Sequence, residues 1–250
     1  MHRVPPLQSA IADLCRRILG ENLVGVYIHG SLAFGCFTWQ HSDVDFLIVT
    51  HLEPSLSEKE ALIQALLQLD ARAPQKGLEM SGLLLSDCLH PRHPLPFWLH
   101  FSNAHKARAA ENITAYCQTM HGLDPDLAAH LTVTRSVGYP ITGAPVAEVF
   151  APIPRAAYLD SILQDVSDAA QDIHDNPVYI ILNLCRVLAA ARENLVLSKA
   201  QGGAWALDHV PAQHHPLIHR ALNSYTAQAA YTPAPQEEDA FAAWMLDQIQ

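Results

Sequence analysis

Apolar positions recur at helical spacing through Leu7, Ile11, Leu14 and Ile18, and Gly20 stands where such a helix would stop. The β-branched residues Val24, Val26 and Ile28 then alternate up to Gly30, the pattern of a buried strand that must turn. A short helical segment and a second strand in DVDFLIV, Asp43 to Val49, follow. Ser57-Glu58-Lys59-Glu60 reads as a capping box ahead of Leu62, Leu66 and Leu69, predicting a helix of about four turns over the sheet, ended by Pro74 and Gly77. Leu78 to Leu85 reads as a third strand. Prolines between His90 and Pro96 predict a loop, Phe97 to Asn103 a further strand and Ala104 to Thr119 a helix. Helical spacing resumes at Leu127, Leu131 and Val137, before a loop from Gly138 to Pro145.

Ala151-Pro152-Ile153-Pro154 marks the expected domain boundary, with strand signals mostly before it and helix signals after. Leu159, Ile162, Leu163 and Val166 form one amphipathic stripe. Val178 to Asn194 is apolar on nearly every side except at Asn183 and Arg186, as befits the central helix of a bundle. Ser198 can cap a helix running through Trp205 and Leu207, and Pro216 to Ala230 and Glu237 to Ile249 predict two more, with Thr232 to Pro235 a linker. The expected fold is therefore α+β, with a sheet and flanking helices in residues 1–150 and an all-α bundle in residues 151–250.

The 250 residues suffice for one large or two smaller cores, and with 50% hydrophobic residues the chain is of the globular class. A formal net charge of −10 argues against nucleic acid as a partner, because affinity for a phosphate backbone comes from Lys and Arg. A small cationic substrate suits that balance better. The cysteines at 15, 36, 88, 117 and 185 form no C-x-x-C pair, so reduced, buried thiols are expected rather than disulfides or a zinc site. The longest apolar run is broken by Asn183 and Arg186, and no basic-then-apolar segment opens the sequence. A cytoplasmic protein without membrane partners is the expectation, and a monomer, without excluding an oligomer.

Candidate chemistry centres on Val26 to Val49. A strand that stops at Gly30-Ser31 and starts a new segment presents free N–H groups and a hydroxyl to an anion. Asp43 and Asp45, two apart on a strand, project from one face. At ~5 Å and an effective dielectric of about 20 such carboxylates repel by roughly 3 kcal/mol, which a divalent cation would remove. Oxygen-only ligands suit Mg²⁺. The alternative is a surface turn followed by an edge strand with acids at its end. Glu79 is an acid in an apolar run and needs a partner if buried. Arg186, on the most apolar helix, calls for an anion, and Lys199 at a helix start is badly placed with respect to the helix dipole. Both oddities are met by a nucleotide triphosphate; otherwise Arg186 pairs with an acid inside the bundle.

Gly30-Ser31, eleven intervening residues, and Asp43-Val44-Asp45-Phe46, with Ser42 directly before, resemble the signature of the nucleotidyltransferase superfamily, polymerase-β-like in fold. YIILNLCRVLAAARENLVLSKAQGGAWALDHVP, with similarity continuing to Tyr225, resembles the helical C-terminal domain of the streptomycin/spectinomycin adenylyltransferases. The resemblance implies AMP transfer from ATP to a drug hydroxyl, with the helical domain closing over nucleotide and acceptor. Asp43, Asp45 and Glu79 would hold Mg²⁺, with Glu79 as catalytic base. Gly30, Ser31, Ser42, Arg186 and Lys199 would contact the phosphates, and Tyr225 the adenine. Asp172, Asp175 and Asn176 fall where the family's acids hold drug amino groups. Asn176 stands in place of an acid, and Trp98 is out of register with the family's drug-stacking tryptophan. These departures leave open another acceptor, a protein hydroxyl or a metabolite, or a non-catalytic nucleotide sensor.

His90 with His93, and His214 with His215, lack partners at zinc-ligand spacing and read as surface histidines. No G-x-S-x-G, G-x-G-x-x-G or G-x-x-x-x-G-K-[ST] occurs, which removes the common hydrolase, dinucleotide and P-loop readings.

Overall fold

The computed structural model describes residues 2–227 and 229–249. The chain divides into two compact units, residues 1–157 and 158–250. The division falls just past the proline pair at 152 and 154, because Ala157 still packs with Tyr27 and Phe150 of the first unit.

In the first unit α1 (Val4–Leu19) is stopped by Gly20, whose φ of 52° ends the helix and leads into β1 (Leu23–Ile28). After α2 (Gly30–Ala33) comes β2 (Val44–Thr50), then α3 (Leu56–Asp70), β3 (Leu78–Leu84) and α4 (Leu85–Leu89). The short strands β4 (Leu95–Phe97) and β5 (Leu99–Phe101), helices α5 (Lys106–Glu111) and α6 (Ile113–Thr119), and strand β6 (Gly122–Asp124) follow. Helix α7 (Leu127–Val137), strand β7 (Tyr139–Gly143) and α8 (Val146–Val149) complete it.

Among the described residues the main sheet has five strands in the order β5-β3-β2-β1-β7, with β2 and β3 parallel and the other pairs antiparallel. Both faces are covered, so its central strands are apolar on both sides. Val26, Ile28, Phe46, Ile48 and Met80 face a core built with α1 and α3, while Tyr27, Leu47, Val49 and Leu83 join Leu127, Leu131 and Phe150. By strand alternation Asp45 shares the second face with Leu47 and Val49, the face that α7 covers.

Several expectations change locally. The capping box of α3 is Ser55 with Glu58, not one beginning at Ser57, because the helix already starts at Leu56. Residues 104–119 form two helices, since extended Asn112 breaks them and its side chain accepts from the Ala115 N–H at 3.0 Å to cap the second. The segment expected as a loop at 138–145 contains β7, an edge strand that tolerates Pro140 opposite Tyr27. Between 90 and 96, Leu95 and Pro96 enter β4, which pairs with β6.

The second unit is helical: α9 (Arg155–Gln164, beginning just before the division), α10 (Ala169–Asp172), α11 (Pro177–Glu193), α12 (Lys199–His209), α13 (His215–Ala227) and α14 (Pro235–Ile249). The expected continuation of α13 to Ala230 crosses residue 228, outside the described residues. Helix α11 is central, buried at Ile180 to Cys185 and Val187 to Ala190, with α12, α13 and α14 packed on it. All five cysteines are free. No helix among the described residues is long and apolar enough to cross a membrane.

Ser55→Ala should lower the unfolding free energy by about 1 kcal/mol through loss of the α3 cap, whereas Ser57→Ala should stay within about 0.5 kcal/mol. Urea midpoints compare the two; equal losses would put the cap in the wrong place.

Candidate active site

The acids are brought together by the register of β2 on β3. Asp70 at the end of α3 accepts from the Leu78 N–H at 3.0 Å and is paired with Lys106, which fixes where β3 begins. Val44 N–H donates to Gly77 O at 3.0 Å, aligning the start of β2 with it. Asp45 then lies directly opposite Glu79, and Asp43 precedes it on the same side. Carboxylate oxygens of Asp43, Asp45 and Glu79 lie within 4.8 Å of one another, and all three residues are half-buried. An all-oxygen donor set with three negative charges so close fits a hard divalent cation.

The glycine turn is pressed against these acids. Gly30 has φ of 59°, and a Cβ there would lie 1.9 Å from Asp45 Oδ2, so only glycine permits the approach. Ser31 Oγ is buried without a hydrogen-bond partner, as expected of a hydroxyl awaiting a ligand. Ser42, also buried, closes the preceding turn: its Oγ accepts from the Thr38 N–H at 3.1 Å and its N–H donates to Thr38 O at 2.9 Å. Its hydroxyl oxygen is thus already engaged by the turn.

In the helical unit, Arg186 Nε donates to Asn183 Oδ1 at 2.5 Å, and one terminal nitrogen lies 3.4 Å from Asp165 Oδ2. The inside acid that the sequence left as an alternative is therefore present, at long range. Lys199 is the first residue of α12, capped by Ser198 with Gln201, and its Nζ sits 4.5 Å from the Tyr179 ring centroid. That cation–π contact answers the unfavourable helix dipole. A Cβ on Gly202 would lie 2.8 Å from Arg186 N, so only glycine lets α12 cross α11 this closely. Tyr225 lies on α13, half-buried. Asp172, Asp175 and Asn176 form an exposed turn in which Asp172 O accepts from the N–H groups of both others, at 3.1 and 3.0 Å, and Asn176 precedes α11. Trp98 is buried in the first unit, where its indole lies over Gly82.

Residues 148–248 match the family model for the aminoglycoside adenylyltransferase C-terminal domain. Over 248 residues the chain is 25% identical to an aminoglycoside (3'') (9) adenylyltransferase of Escherichia coli, covering 97% of this chain and 89% of that protein. A spectinomycin 9-adenylyltransferase of Staphylococcus aureus is 22% identical, covering 90% and 86%. The crystal structure of spectinomycin adenyltransferase AAD(9) from Enterococcus faecialis with ATP and spectinomycin superposes with a TM-score of 0.80 over 98% of each chain, at 19% identity. These likenesses are all to aminoglycoside or spectinomycin adenylyltransferases, and the solved neighbour shares this chain's fold.

Beside the three acids stand residues that sequence reasoning missed. His130 on α7 pairs with Asp126 at 3.1 Å, and its ring lies 4.9 Å from that of His29, the buried residue just before Gly30. Burial opposes charge on His130, but Asp126, then Glu79 and Asp45, outweigh it and raise the ring's pKa to about 10. Burial, with the neighbouring His130, holds His29 well below the usual histidine range, so it is neutral. Burial pushes Glu79 up; His130 opposes this, and the Asp43, Asp126 and Asp124 carboxylates add to it. The readable signal was the Asp126/His130 pair at i,i+4.

Because the folded value for His130 exceeds the ordinary 6.5, its contribution to stability is complete below about 6.5 and is lost as pH climbs through about 10. In the metal-free protein, urea unfolding across that window should show wild type losing more stability than His130→Asn. Parallel pH profiles would contradict the pairing.

Proposed function

We propose that the protein transfers AMP from ATP to a hydroxyl of an aminoglycoside-type antibiotic, streptomycin- or spectinomycin-like, releasing pyrophosphate with Mg²⁺ as cofactor. The observation that carries this is the trio Asp43, Asp45 and Glu79 within 4.8 Å, pressed against a turn whose buried Ser31 hydroxyl is unpartnered. Asp43, Asp45 and Glu79 would hold the metal, which when bound supplies charge neutralisation at the phosphates.

The chain's own residues divide the remaining work. Gly30 lets the backbone approach, and Ser31 and Ser42 donate hydroxyl protons to phosphate oxygens. Arg186 and Lys199 neutralise the triphosphate, and Tyr225 packs on the adenine. Glu79, with its proton affinity raised by burial, suits the role of general base. It takes the proton of the acceptor hydroxyl as that oxygen attacks the α-phosphorus in line; the bond to the bridging oxygen breaks and pyrophosphate leaves. Asp172 and Asp175, exposed on a chain of net charge −10, favour a cationic acceptor, with Asn176 offering an amide beside them. A negative balance likewise favours a small molecule over nucleic acid, in a cytoplasmic monomer.

Incubation with labelled ATP, Mg²⁺ and separate aminoglycosides should put label on streptomycin or spectinomycin. Label on none of the drugs would move the acceptor to another class. Glu79→Gln should cost about 10²–10⁴-fold in kcat while nucleotide binding persists, and Asp45→Asn should abolish Mg²⁺-dependent ATP binding in calorimetry. Unchanged turnover in Glu79→Gln would remove it as the base, and unchanged binding in Asp45→Asn would remove the metal assignment.

A further inference from the structure

Helix α11 buries an amide in its most apolar stretch: Asn183 is 0% exposed, between Leu182 and Leu184. A buried amide costs stability unless its hydrogen bonds are made, so its neighbours show what it holds. Its Oδ1 accepts from Arg186 Nε at 2.5 Å, and its Nδ2 donates to Asp165 Oδ2. Asp165, just past α9, also accepts from the Tyr179 hydroxyl at 2.9 Å through its other oxygen, and Tyr179 is the ring on which Lys199 rests. One carboxylate is thereby tied to both cations, to Arg186 through an amide and to Lys199 through a ring.

We propose that Asp165 and Asn183 are positioning residues for the nucleotide: together they fix the Arg186 guanidinium by its Nε edge and hold Tyr179 beneath Lys199. Asp165 sets the orientation of the amide, because a carboxylate can only accept; Nδ2 must turn to it and Oδ1 to Arg186. With Nε held by Asn183, the terminal nitrogens are the edge with which a guanidinium takes phosphate oxygens. Asp165 lies 3.4 Å from one of them, too far for a strong charge-assisted bond, so it orients the cation without neutralising it closely. Tyr179 is a second arm of the same hub, its hydroxyl fixed by Asp165 while its face stays under the ammonium.

This inference rests on the proposed role of Arg186 at the triphosphate, and binding of Mg²⁺ with a non-hydrolysable ATP analogue, measured by calorimetry, separates the two. Asn183→Leu, close in volume, and Asp165→Asn should each weaken analogue binding about tenfold, with KM for the acceptor unchanged. In an Arg186→Met background Asn183→Leu should weaken analogue binding no further, because there is no guanidinium left to orient. Tyr179→Phe, which keeps the ring, should bind better than Tyr179→Ala. If Arg186→Met binds like wild type, the triphosphate role of Arg186 fails. If Arg186→Met binds weakly but Asn183→Leu and Asp165→Asn bind like wild type, or if the effects of Arg186→Met and Asn183→Leu simply add, the positioning role is overturned and Arg186 stands alone.

Discussion

The parallel pairing of β2 with β3 is the constraint from which the first unit takes its character. It sets Asp45 opposite Glu79, and strand alternation then leaves Asp43 on the same side. Carboxylate oxygens within 4.8 Å repel by roughly 3 kcal/mol per pair at an effective dielectric of about 20. Folding alone gives no reason to maintain such a cluster, yet three further features keep it in place: glycine at position 30 against Asp45, the Asp70 anchor at the start of β3, and the Gly77 carbonyl at the start of β2. His130 offsets part of the cost from the neighbouring helix: Asp126 first, then Glu79 and Asp45, raise its pKa above the ordinary histidine range against its burial. Its ring pairs with Asp126 on its own helix turn.

The helical unit solves the opposite problem, two cations on and beside a nearly all-apolar helix. An amide and a carboxylate hold Arg186, and a phenol ring lies under Lys199. The close crossing of α12 on α11 at Gly202 leaves no room for any side chain there.

What could be read from the sequence was what local rules determine. Period-two alternation and the spacing of Gly30, Asp43 and Asp45 placed the acids on one strand face, and the apolar run of Val178 to Asn194 gave the central helix. Glu79 was legible as an acid out of place in an apolar run, although nothing local shows that its strand lies parallel to β2. His130 and Asp126 were not legible as part of the site, since they arrive from about fifty residues further along through the packing of α7 on the sheet. Strand β7 was hidden by Pro140 and Gly143, ordinary loop residues that an edge position tolerates. Asp165 looked like any acid after a helix, because its significance comes only from Asn183 and Tyr179 on another helix.

Each unit thus carries charges that its own core does not need, a carboxylate trio in the first and Arg186 with Lys199 in the second. Charges gathered in this way are less stable than a neutral alternative of the same shape would be. In the proposed reaction a metal would offset the cost of the acids and phosphate oxygens that of the cations. Groups held this way within their own unit are in position before a ligand arrives and need little reorganisation when it binds. This also explains why the orienting groups are an amide and a distant carboxylate. A close ion pair would have satisfied Arg186 in the resting protein and left the triphosphate with less to gain.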